Sequence, residues 1–169
     1  VYDRTHRGYS GERCIMSNWF ECKVKYDRAA ENGSMKTVSE SYLINALSFT
    51  EAEARVTEEV SPFVSGEFSV TAVKREKLAE VFFHEGGDKW YKVKVNFITL
   101  DEKTAVEKRV ACFMLVQACD FEQSLKNFSE SMKGTLGDFE IVSIVETQLM
   151  DVYQENLSET LADKAAKKE

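Results

Sequence analysis

Two stretches of the chain interleave a tryptophan with lysines at alternate positions. In "SNWFECKVKY" (17–26) these are Trp19, Lys23 and Lys25; in "DKWYKVKVNF" (88–97) they are Trp90, Lys92 and Lys94, followed by Asn96. Residues two apart share one face of a strand, so each stretch presents an indole beside ammonium groups. An indole can stack a base while ammonium groups hold phosphate. The six residues are therefore candidate ligand-binding positions. A competing reading has the indoles covering a rim where two halves of the molecule meet, with the lysine stems lying over apolar surface. A site duplicated about a pseudo-twofold axis would suit a compact symmetric anion or a symmetric protein partner.

Other chemistries lack their residues, and no catalytic residue is assigned. A Ser-His-Asp arrangement or a cysteine nucleophile would have to draw on His6 or His84, and no serine sits in a nucleophile elbow. His84, within "HEGGDK" (84–89), reads as a solvated loop residue. Zinc needs several Cys or His ligands at suitable spacing, and neither a metal nor a cofactor is assigned. Gly66, Gly86, Gly87, Gly134 and Gly137 fit turns and not a phosphate-binding loop. The carboxylates of "TEAEARVTEE" (50–59) read as the solvated face of a helix.

A net charge of -7 disfavours bulk attraction to nucleic acid or anionic lipid. No apolar run approaches the roughly 18 residues of a membrane span. Cys14, Cys22, Cys112 and Cys119 form no CxxC pair and read as reduced thiols, inert where they fall on apolar strand faces, as Cys22 and Cys112 do. The expected location is cytoplasmic. Residues 1–15 are polar and aperiodic, and read as a flexible arm or as translation from a start upstream of Met16.

The elements that position the tryptophans form a repeat. Phe20, Cys22, Val24 and Tyr26 alternate with the polar face of the first stretch, as Tyr91, Val93, Val95 and Phe97 do in the second. "YLINALSFTEAE" (42–53) is echoed by "MLVQACDFEQSL" (114–125). Ser48 with Glu51, and Asp120 with Gln123, have capping-box spacing at a helix start. Ala52, Val56 and Val60 fall on one face of the first helix, and Leu125, Phe128 and Met132 are assigned to that of the second. Phe68, Val70 and Val73 answer Phe139, Ile141 and Ile144, and "LAEVF" (78–82) answers "LMDVY" (149–153), at an offset of about 71. Asn32-Gly33 predicts a tight hairpin turn.

The expected fold is α+β: two pseudo-symmetric strand-strand-helix-strand repeats forming a two-layer antiparallel sheet/helix domain, the last strand of each extended or broken in two. The repeats are placed at 16–87 and 88–153. Residues 154–169 read as a polar helix or tail. A unit of about 60 residues is marginal alone, so the copies are expected to pack together.

The segments "MSNWFECKVKYD", "YLINALSFTEAEARVTEEV", "GEFSV", "KWYKVKVNFITLDEK" and "MLVQACDF" resemble a family of small uncharacterised proteins of Bacteroidota and their phages or mobile elements. The resemblance spans Met16 to about Tyr153 and implies a bacterial or phage setting, with no assigned chemistry. The expected function is a non-enzymatic binding module for a protein or a small anionic ligand. Alternatives are a nucleic-acid-binding accessory protein using the Trp/Lys faces, a structural or oligomeric phage protein, and an enzyme with an inconspicuous carboxylate site. The oligomeric state stays open.

Overall fold

The computed structural model describes residues 18–154. His6, Cys14 and the readings of the N-terminal arm, the start site and the C-terminal tail lie outside the described residues. The chain runs β1 (Trp19–Ala29), β2 (Met35–Asn45), α1 (Phe49–Val60), a 3-10 turn (Ser61–Phe63), β3 (Phe68–Glu76) and β4 (Glu80–Phe82). It continues through β5 (Lys89–Leu100), β6 (Glu107–Ala118), α2 (Phe121–Ser131), β7 (Asp138–Glu146) and β8 (Leu149–Tyr153). The fold is α+β. Among the described residues no helix is long and apolar enough to cross a membrane.

Two four-stranded sheets form, ordered β3-β1-β2-β8 and β7-β5-β6-β4. Element for element the orders are the same. The short last strand of each half of the sequence, however, joins the sheet of the other half. Two compact units result, 76–150 and 19–75 with 151–154, so their limits differ from those of the repeats read along the chain. The pairing of β4 departs from the antiparallel expectation: it runs parallel to β6, with Val81 opposite Leu115. A strand arriving from the other sheet need not reverse direction as a hairpin strand must.

In the unit of 19–75, β1 and β2 pair from Trp19 opposite Asn45 to Ala29 opposite Met35. The connection is the loop 30–34, longer than the predicted tight turn. Gly33 takes positive φ, +79°, and the Asn32 Oδ1 accepts from the Ser34 backbone N–H at 3.1 Å. The core packs Phe20, Cys22, Val24, Tyr42, Ile44 and Ala46 against Ala52, Val56 and Val60, the helix face read from the sequence. Burial pushes the Cys22 thiol up to about 11, so it stays protonated and inert. Cys22 and Cys119 are free thiols; Cys112 is disulfide-bonded, which corrects the reading of it as a reduced thiol.

In the unit of 76–150, β5 and β6 pair over their whole length, Lys89 opposite Ala118 to Leu100 opposite Glu107. The buried helix face is Ser124, Phe128 and Met132; Leu125 is 42% exposed, against expectation. Ser124 lies one turn before Phe128, and its hydroxyl donates to the Phe121 carbonyl at 2.6 Å, so a small polar side chain is satisfied inside. The pairing of β5 with β7 slips by one residue between Lys94 and Val95, opposite Ser143 and Ile141, leaving Val142 as a bulge. The three-residue gap between Ile141 and Ile144, which both face the core, is this bulge seen in the sequence.

Both helices begin as their sequences predict. The Ser48 hydroxyl accepts from the Glu51 N–H, and the Asp120 carboxylate from the Gln123 N–H. The Glu51 and Gln123 side chains accept from the residue before the cap, Leu47 and Cys119. A side chain from each helix also donates to a carbonyl at the end of the preceding strand: Arg55 to Asn45, the last residue of β2, and Asn127 to Gln117, the last but one of β6.

The β5–β6 loop holds Ala105 at φ +55°, a region that costs a residue with a Cβ roughly 1–2 kcal/mol. Ala105→Gly is expected to raise stability by about 0.5–1 kcal/mol after the added freedom of the unfolded chain. Urea denaturation of the two proteins measures it, and a loss of stability would refute the strain.

Candidate functional site

The Trp/Lys faces sit on β1 and β5. Trp19 and Trp90 are each 2% exposed, so neither indole offers a free face to a base. Phe83 packs edge-to-face on Trp90 at 5.3 Å. Lys92 pairs with Glu76 at 3.2 Å, and its ammonium lies over the Phe113 ring at 5.0 Å. Lys94 and Asn96 are half-buried, while Lys23 and Lys25 are exposed. Lys92 therefore matches the reading of lysine over apolar surface.

His84 departs from its assignment as a solvated loop residue. It is half-buried, and its Nε2 lies 3.0 Å from the Ser131 Oγ on α2. Two residues 47 apart in sequence thus form the contact a nucleophilic serine needs. Proton bookkeeping gives it another role. The Ser131 hydroxyl donates to the Asn127 carbonyl at 2.8 Å, so towards the imidazole it can only accept. The imidazole donates, and the serine is not activated as a nucleophile. Gln117 completes a clasp: its Oε1 accepts from the His84 N–H at 3.1 Å and its Nε2 donates to the Gly87 carbonyl at 2.7 Å. The clasp fixes the turn between β4 and β5.

A different cluster occupies the core side of the first sheet. Val24 faces Glu40, and Tyr26 faces Val38, in the β1–β2 ladder. The alternation that turns Tyr42 and Ile44 inward carries the Glu40 carboxylate the same way. Tyr26 Oη donates to Glu40 Oε1 at 3.0 Å, and Tyr42 Oη donates to Oε2 at 2.8 Å. From β8, Tyr153 stacks on Tyr42 with ring centroids 6.2 Å apart. Tyr26, Glu40 and Tyr153 are half-buried and Tyr42 is buried.

All three phenols are held as donors. Burial, then the bond to Glu40, pushes Tyr42 well above the ordinary tyrosine range. Burial and the same carboxylate raise Tyr26. Tyr153 is pushed up to about 12, chiefly by burial, then by Asp151 and Glu59. Glu40 has no ion-pair partner among the described residues.

The second sheet fills the same places with apolar groups. Phe97 faces Val110 as Tyr26 faces Val38, and Val95 faces Cys112 as Val24 faces Glu40. Val93 faces Met114 as Cys22 faces Tyr42, and β4, which ends in Phe82, takes the place in its sheet order that β8, which ends in Tyr153, takes in the other. The architecture thus does not require the tyrosines and the carboxylate. The sequence reading missed Glu40. The available signal was a carboxylate at an inward position of a strand whose next two inward residues are Tyr42 and Ile44.

Among the described residues no group of three or more His, Cys, Asp or Glu side chains could hold a metal ion. Residues 18–155 match a family model described as a domain of unknown function, DUF4494. No curated protein and no solved structure matches the chain.

Proposed function

The chain belongs to the DUF4494 family, and from that premise we propose that it is a non-enzymatic binding module whose contact patch is Tyr26, Glu40, Tyr42 and Tyr153. The observation that carries this reading is the contrast between the two sheets. At matching ladder positions one sheet holds Tyr26, Glu40 and Tyr42, and the other holds Phe97, Cys112 and Met114; at the added edge strand the first has Tyr153 and the second Phe82. A half-buried charge is costly compared with apolar packing. Residues kept against that cost, where the fold accepts Phe and Met, are candidates for recognition.

The reading is tested without knowing the ligand. The variant Tyr26→Phe/Glu40→Val/Tyr42→Met imports apolar character like that of the second sheet. It is expected to fold and to match or exceed the wild type in stability, because replacing a polar cluster with packed apolar groups is often neutral or stabilising. Urea unfolding decides. A loss above about 2 kcal/mol would make the cluster a structural element and end the proposal.

A nucleic-acid partner or a small anionic ligand would rest on the exposed Lys23 and Lys25, since the buried indoles offer no stacking face. That is the weaker reading for a chain of net charge -7. The motifs quoted from the sequence support a setting in Bacteroidota or their phages as part of the proposal; a cytoplasmic location has to accommodate the disulfide at Cys112.

A further inference from the structure

We propose that the patch of Tyr26, Glu40, Tyr42 and Tyr153 receives a cationic nitrogen group, a guanidinium or an ammonium; the inference rests on the reading of this patch as a binding site. Each Glu40 oxygen accepts one phenol O–H, at 3.0 and 2.8 Å. A carboxylate offers about four lone-pair directions, so acceptor capacity is left over. The phenols orient the carboxylate without neutralising it, and no lysine or arginine among the described residues pairs with it. A half-buried carboxylate lacking a counter-cation is the group a ligand cation would satisfy.

The surroundings favour the same charge. Glu59 on α1 and Asp151 on β8 both act on Tyr153, and the opposing field that reaches the cluster comes from Arg28, at Tyr26. Tyr153, stacked on Tyr42 and only half-buried, adds an aromatic surface that attracts cations. A carboxylate clamped by two phenols, one of them stacked on a further aromatic ring, selects positive charge over a neutral group of the same shape.

The test is a proton–nitrogen NMR titration of the full chain with ethylguanidinium chloride, ethylammonium chloride, N-ethylurea, methyl glucoside and a short arginine-containing peptide. The expected result is a shift of the amides around Tyr26, Glu40, Tyr42 and Tyr153 with ethylguanidinium, ethylammonium or both, and not with N-ethylurea or methyl glucoside. Glu40→Gln should weaken the binding on the order of tenfold or more, and added salt should weaken it further. Should Glu40→Gln fail to fold, Tyr42→Phe, which frees one carboxylate oxygen, is expected to alter the affinity instead. Peptide binding much tighter than that of the free cation identifies the source as a partner's side chain; equal binding identifies a small molecule. No shift with either cation, equal shifts with N-ethylurea or methyl glucoside, or an affinity unchanged in the variant overturns the cationic assignment. The triple-variant stability test does not depend on the ligand, so it still judges the patch separately.

Discussion

Phe128→Ala is expected to cost about 3–5 kcal/mol, enough to remove most of the stability of an ordinary domain. Phe128 is 0% exposed and holds α2 onto its sheet. Its ring meets Phe82 of β4 edge-to-face at 6.0 Å, so one side chain joins the helix to the strand added at the sheet edge. Truncation removes the transfer free energy of the ring and leaves a cavity among Tyr91, Met114, Val116 and Met132, which the surrounding strands limit from collapsing. Phe128→Leu keeps most of the volume and is expected to lose much less, about 1.5 kcal/mol or under. Urea denaturation of the three proteins orders them. A Phe128→Ala loss below about 1 kcal/mol would contradict the docking of α2 on this sheet.

Gly87→Ala should be the second most damaging change, costing about 1–3 kcal/mol. The cause is space and not backbone freedom. Gly86 takes the positive φ of the turn, +87°, whereas a Cβ added at Gly87 would lie 2.8 Å from the backbone nitrogen of Ala118 and 2.9 Å from Cγ of Gln117. The backbone of Ala118 is held in the β5–β6 ladder opposite Lys89, so the turn must move. Moving it strains the bond from Gln117 to the Gly87 carbonyl and the His84 N–H bond to Gln117. Gly86→Ala fails for the other reason, a Cβ in the left-handed region with nothing near it. A thermal melt of Gly87→Ala equal to that of the wild type would show that Ala118 yields. The two adjacent glycines looked alike in the sequence because both read as turn residues.

Much of the local structure was legible. Strand faces such as Phe20, Cys22 and Val24 followed from alternation, and the helix starts at Ser48 and Asp120 from cap chemistry. Both are decided within a few residues. Leu125 was misplaced because two registers of an amphipathic helix compete, and apolar content favoured the one without Ser124. Counting from the cap would have aligned Ala52 with Ser124, each four residues beyond its cap.

The candidate site was harder to see. Tyr26, Glu40 and Tyr42 lie on paired strands, yet only the register brings both phenols to one carboxylate. Tyr153 arrives from β8, the end of the second half of the chain, into the first sheet. The same holds for His84 and Ser131.

By itself the sequence determined periods, caps and the α+β class, because these arise from neighbours along the chain. Only the tertiary structure decided that β4 and β8 exchange sheets, that both indoles are buried, and that three tyrosines gather near Glu40. Those outcomes depend on which distant segments pair. A short strand such as Glu80–Phe82 carries too few residues to encode its partner, so packing against Phe128 and the β6 edge selects it.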